Sequence, residues 1–227
     1  MATFTPGDLT LGSVAVVRIL GIDPGTQVVG FGCLELAGGA LPGGGGATGV
    51  PLAMRGSNVV RAAAPGGAGA ALVETGVLRL GKRGTDLTAR LLSLAEQFAE
   101  LVQRLEPTEV AIEEAFFGKS VQAALRIGEA RGVLLAEAAR RGLDVHQFTP
   151  ARIKRCVAGH GAARKESVAS MLGQMIPELA GAGRAGLPAD ATDAVAVAWT
   201  RFEELRSPLL GGGSPAAGRG RGRSSRA

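Results

Sequence analysis

Leu20-Gly21-Ile22-Asp23-Pro24-Gly25-Thr26 is the stretch on which the fold turns. It closes an almost unbroken apolar run, residues 14–22, interrupted by Arg18. A run of that length and composition reads as a strand buried on both faces. Pro24 and Gly25 take the central positions of a type II turn. Residues 29–36 then alternate apolar side chains with Gly and Glu, the pattern of a second strand. The two strands pair as an antiparallel hairpin, with Asp23 at the end of the first.

Outward from the hairpin, residues 38–71 are low-complexity Gly, Ala and Pro. They cannot bury enough apolar surface to offset the ordering of the chain, so they read as a disordered insertion at a strand-to-strand turn. A third strand spans 72–80. Residues 85–105 carry Leu87, Leu91, Leu94, Phe98, Leu101 and Leu105 on one stripe at helical spacing, and Pro107 ends that helix. A short strand follows at 110–113, a long helix at 120–141 and a strand at 145–148. Thr149 caps a helix with Pro150 at its first position. Gly159-His160-Gly161 breaks it, 165–175 begins another, and after a Gly-rich joint 190–205 forms the last. Three leading strands followed by alternating helix and strand give an α/β fold, a mixed sheet with helices on both faces.

A chain of 227 residues with 46% apolar content suits one domain with additions. The expected organisation is a flexible leader at 1–13, a folded domain at 14–206 and a disordered tail at 207–227. The tail carries Arg219, Arg221, Arg223 and Arg226 and no acid, so most of the +5 formal charge resides there and the body is near neutral. Any basic binding surface on the body must come from local clustering. Cys33 and Cys156 form no framework, which fits a reducing cytoplasm. No apolar run approaches the roughly 20 residues of a membrane span.

Four acids carry the chemistry. Asp23 ends the first strand and Glu113 ends a later one, and Asp190 and Asp193 sit three residues apart on the first turn of the last helix. Taken singly, they are an ordinary turn, a solvated strand end and a helix cap with a dipole-favoured acid. Taken together, in a fold order that makes the two strands neighbours, they converge. Clustered carboxylates repel unless cations neutralise them, and hard divalent ions such as Mg²⁺ or Mn²⁺ are the matching partners. Two ions about 4 Å apart would clamp the attacking and leaving oxygens of a phosphodiester displacement.

The opening stretch resembles the first strand and turn of the RuvC resolvases, RNase H-like nucleases. Ala111-Ile112-Glu113-Glu114-Ala115-Phe116-Phe117 resembles their second acidic motif, Ala124-Leu125-Arg126-Ile127-Gly128-Glu129-Ala130-Arg131-Gly132 the helix after it, and Ala189-Asp190-Ala191-Thr192-Asp193-Ala194 their final acidic motif. The likeness spans roughly 17–38 and 72–203. It implies an RNase H-like mixed five-stranded sheet and a nuclease that resolves four-way (Holliday) junctions in homologous recombination and DNA repair. It implies two Mg²⁺ ions per site, Mn²⁺ being an acceptable substitute. Asp23 would bridge both, with Glu113, Asp190 and Asp193 completing the shells. Water would attack in line to leave 5′-phosphate and 3′-hydroxyl ends. Lys165 matches a family lysine near the scissile phosphate, Lys154 one that contacts DNA, and Phe116 an aromatic that stacks at the junction point. The helix after Ser120 matches the family's dimer interface, and a RuvA–RuvB branch-migration complex is the partner.

Arg152, Lys154, Arg155, Arg164 and Lys165 form a local basic cluster, which is either a solvated helix face or a phosphate-contacting surface. Of these, Arg152 joins Lys154 and Lys165 as an expected DNA contact. The sequence departs from the family pattern in its Gly/Ala insertion, in the extra residues 181–187 before the last helix, and in its Arg/Gly tail. The tail either solubilises the chain or adds salt-dependent nucleic-acid affinity. Competing readings are a YqgF-like nuclease acting on RNA and a junction-binding protein that has lost catalysis. The length of the chain argues against a two-domain actin-like ATPase.

Overall fold

The structure is a computed structural model that describes residues 16–36, 69–82, 84–114, 121–182 and 187–206. The expected leader, most of the insertion, the tail and Phe116 lie outside the described residues.

Five strands, β1 (Arg18–Asp23), β2 (Val28–Leu36), β3 (Ala70–Arg79), β4 (Glu109–Glu113) and β5 (Asp144–Phe148), form one sheet in the order β3-β2-β1-β4-β5. β1 pairs antiparallel with β2, and β2 with β3; β1 pairs parallel with β4, and β4 with β5. This is the mixed sheet expected. The expected first strand is displaced: pairing begins at Arg18 and includes Asp23, which stands opposite Gly30.

Alternation along β1 and β4 sends side chains to two separate cores. Leu20 and Ile22 of β1, with Val110 and Ile112 of β4, pack under α1 (Leu87–Leu105) and α2 (Val121–Arg140). Ile19 and Ala111 pack on the opposite face under α3 (Pro150–Ala158), α4 (Lys165–Met175) and α6 (Ala189–Arg206). Gly21 and Asp23, and likewise Glu109 and Glu113, share that second face by parity. A short helix, α5 (Pro177–Ala182), occupies part of the joint read as irregular from the sequence.

Local chemistry sets the ends of the elements. Asp86 caps α1 by accepting from the Thr88 amide at 2.8 Å, and Glu106 closes it with a left-handed backbone ahead of Pro107. Thr149 caps α3 as expected, accepting from the Arg152 amide.

α6 departs from an amphipathic surface helix. Ala191, Ala194–Thr200 and Phe202 are all buried, so the helix is apolar nearly all round. It lies on β1 and β2 with almost nothing between the backbones. A Cβ at Gly21 would fall 2.2 Å from the Ala194 carbonyl oxygen, and one at Gly30 would fall 1.9 Å from that of Asp190. These glycines let the first turn of α6 settle at the end of β1 where Asp23 stands.

At the other end of β4, Glu109 is nearly buried and lies 3.0 Å from Arg201 of α6 and 3.0 Å from His146 of β5. Burial works to raise its pKa, but the hydrogen bonds from His146 and Arg201 outweigh it and hold the carboxyl below the ordinary value.

Candidate active site

The carboxyl ends of parallel neighbours put Asp23 and Glu113 side by side. Ile22 stands opposite Ile112 in the β1–β4 register, so each acid follows its strand by one step on the same face. A cleft of about 260 Å³ opens there. Asp23, Glu113, Glu114 and Asp193 supply its acids; Lys154 of α3 and Lys165 of α4 supply its cations. Ile127 of α2, Ile153 of α3 and Val168 of α4 contribute apolar wall.

The charges are strongly coupled. Burial is the largest cause that drives the Asp23 pKa up to about 8; repulsion from Glu113, Asp193 and Asp190 adds to it, and Lys165 partly offsets it. Burial, then Asp193, also raises Glu113, while a hydrogen bond with Asp23 works the other way. Near neutral pH the Asp23–Glu113 pair therefore holds a proton between its carboxyls. Asp193 has a different counter-charge: Lys165 Nζ lies 2.5 Å from its Oδ2.

The expected residues divide accordingly. Asp23, Glu113, Asp193, Lys165 and Lys154 come together in the cleft. Asp190 does not line it; its charge still reaches Asp23, and its backbone rests on Gly30. Arg152, expected to contact DNA, is turned away. Its guanidinium pairs with Glu204 and stacks over Phe148, 5.2 Å from the ring centroid, which ties α3 to α6 and β5. The basic pattern in the sequence could not separate it from Lys154, because the carboxylate that claims it lies far along the chain.

Sequence reasoning missed Arg90. From α1, its Nη1 donates to the Thr26 carbonyl at 2.6 Å and so holds the turn that follows Asp23. Nothing local in the sequence marks this half-buried arginine, because the carbonyl it holds lies 64 positions away on another element. The role of Gly21 and Gly30 as a seat for α6 was also missed.

The donor set fits a hard divalent cation in kind: carboxylate oxygens, one of them made to keep a proton by burial and by its acidic neighbours. Among the described residues no three His, Cys, Asp or Glu side chains are already gathered as a ligand set. The acids line one cleft, but two of them meet each other and the third meets a lysine.

A family model described as "Crossover junction endodeoxyribonuclease RuvC" matches residues 51–201, a span that takes in Glu113, Asp190, Asp193 and both lysines and leaves Asp23 outside. Curated relatives extend the likeness over it. The crossover junction endodeoxyribonuclease RuvC of Chlorobaculum parvum is 34% identical over 206 residues, 91% of this chain and 91% of its own length. That of Moorella thermoacetica is 37% identical over 180 residues, 79% of this chain and 87% of its own. Among solved structures, T. thermophilus RuvC in complex with Holliday junction substrate is similar with a TM-score of 0.62 and 27% identity, covering 83% of this chain and 95% of that one. The yeast mitochondrial Holliday junction resolvase, at 16% identity and a TM-score of 0.54, shares the fold.

Proposed function

This chain belongs to the RuvC family of crossover junction endodeoxyribonucleases, and we propose that it resolves four-way DNA junctions by cation-assisted hydrolysis at Asp23, Glu113, Asp190 and Asp193. The observation that carries the reading is the convergence of Asp23, Glu113 and Asp193 with Lys154 and Lys165 in one cleft at the carboxyl ends of β1 and β4.

In this reading Asp23, Glu113 and Asp193 would hold divalent cations, Mg²⁺ with Mn²⁺ as a substitute and two ions per site, with Asp190 joining from the same turn of α6. Such ions activate water and stabilise charge on the phosphoryl oxygens and the leaving 3′-oxygen, so that cleavage leaves 5′-phosphate and 3′-hydroxyl ends. Asp23 and Glu113 would have to release the proton they share in order to hold a cation. Lys154 and Lys165 meet the scissile phosphate and its neighbour, which fixes the backbone for in-line attack. Ile127, Ile153 and Val168 keep bulk water from the cleft wall, which strengthens the electrostatics within it. Phe116 would stack at the opened base step of the junction.

A second copy of the chain completes the proposal. The outer face of α2 exposes Val121 (68%) and Leu125 (63%), and Gly128 and Gly132 on the same helix have open space where a Cβ would be. That face supports a two-fold homodimer, which would set two clefts on opposed strands of a symmetric junction. A RuvA–RuvB branch-migration complex would deliver the substrate, and the cytoplasm is the proposed compartment. No helix among the described residues is long and apolar enough to cross a membrane.

The test is cleavage of a mobile synthetic four-way junction beside linear duplex and an RNA–DNA hybrid, with and without Mg²⁺. Paired, symmetric, Mg²⁺-dependent nicks confined to the junction are expected. Preferential cutting of the hybrid would move the assignment to RNA, and metal-independent binding without nicks would leave a junction-binding protein.

A further inference from the structure

The cleft balances part of its own charge with an ammonium group. Lys165 is the first residue of α4 and its side chain is two-thirds exposed, yet its Nζ reaches in to Asp193 Oδ2 at 2.5 Å. The backbone that carries Asp193 is held in place, because the first turn of α6 rests backbone-to-backbone on β2 at Gly30. The remaining acids satisfy each other, Asp23 bonding to Glu113. Among the described residues no three acids are gathered as ligands.

A carboxylate oxygen that ligates a hard dication lies roughly 2.0–2.6 Å from it. An ammonium at 2.5 Å from the same oxygen would then sit beside two further positive charges, inside a partly buried cleft where screening is weak. The two cations compete for one acid. Water solvates the displaced ammonium at little cost, because the lysine stem is exposed and flexible.

We propose that Lys165 is the resident counter-ion of Asp193 and that divalent cations bind by ejecting it. Lys165 thereby weakens cation binding in the DNA-free protein. Once ejected, it is left without its carboxylate at the mouth of the cleft, where a substrate phosphate supplies a new partner. One side chain therefore links cation loading to phosphate recognition, and each favours the other. The inference rests on the carboxylate site proposed above and adds to it a second duty for Lys165, one that acts before any DNA is present.

The experiment is a titration of Mn²⁺ into the full-length, DNA-free protein, read by calorimetry or by loss of the free-ion paramagnetic resonance signal. Lys165→Met should bind Mn²⁺ about fivefold more tightly than wild type, the size expected for loss of one partly exposed ion pair. Lys165→Arg, which keeps the charge, should stay near wild type. Asp193→Asn should lose the binding, which places the ion at this cleft. Equal or weaker Mn²⁺ affinity in Lys165→Met, with its circular dichroism unchanged, would overturn the counter-ion role while leaving the carboxylate site standing. No saturable Mn²⁺ binding to wild type or to Lys165→Met would overturn both.

Discussion

The carbonyl oxygen of Asp190 occupies the space that a side chain on Gly30 would need, 1.9 Å from where its Cβ would stand. β2 and α6 therefore meet through backbone, and the acids on the first turn of α6 are placed by that contact and not by side-chain packing. Gly30→Ala should force the turn outward. The expected cost is about 2–3 kcal/mol of stability, read by denaturant unfolding. Nicking at a temperature where the variant is fully folded should fall by more than tenfold, because Asp193 moves away from Asp23.

Asp23 gives a pH signature in cation-free buffer. Its carboxyl keeps a proton up to about pH 8 in the folded chain, against an ordinary value of 3.8. Between those values the folded state binds a proton that the unfolded state has released, so stability falls as pH rises through the window. Melting in EDTA should show a Tm that drops by about 10 °C from this source between pH 5 and pH 8. Asp23→Asn, a mimic of the protonated form, should flatten that slope, abolish cleavage and keep junction binding. A variant that still cuts would remove Asp23 from the site.

Lys154 lines the cleft and Arg152 does not. Lys154→Ala should weaken junction binding across sequences and reduce the salt slope of log K by about one. Arg152→Ala should leave the salt slope alone and instead loosen α3 from α6. Titrations at a series of salt concentrations separate the two.

Glu109 tests the opposite end of the sheet. Glu109→Gln removes the charge facing Arg201 and His146. Arg201 retains Glu204, 3.2 Å away, so the loss should be about 2–3 kcal/mol, less than the usual cost of orphaning a buried charge. Nicking by the folded variant should be unchanged. The wild-type contribution is present above the ordinary glutamate value and is lost as pH falls through the depressed one, so the variant should lose less stability in acid.

Much of this was legible in the sequence because it depends on local pattern. The unbroken apolar run of β1, the alternation in β2, the apolar stripe of α1 and the Thr149-Pro150 start of α3 each specify an element without help from elsewhere. The order of the elements then brings Asp23, Glu113 and Asp193 together. What was not legible depends on tertiary contact. Nothing local to Arg152 announces Glu204, and nothing local to Arg90 announces the Thr26 carbonyl. Nothing local to Gly21 or Gly30 announces the helix that rests on them. The burial of α6 nearly all round hides its facing residues from any reading by periodicity.

Because Asp23 ends β1 and Asp193 lies on the first turn of α6, the proposed site is shared between the earliest and the latest described parts of the fold. A growing chain on the ribosome holds Asp23 long before Asp193 exists. Partial products, and fragments left by proteolysis between the two, would lack a complete set of these carboxylates. On the proposed reading, no cutting would begin before α6 has docked.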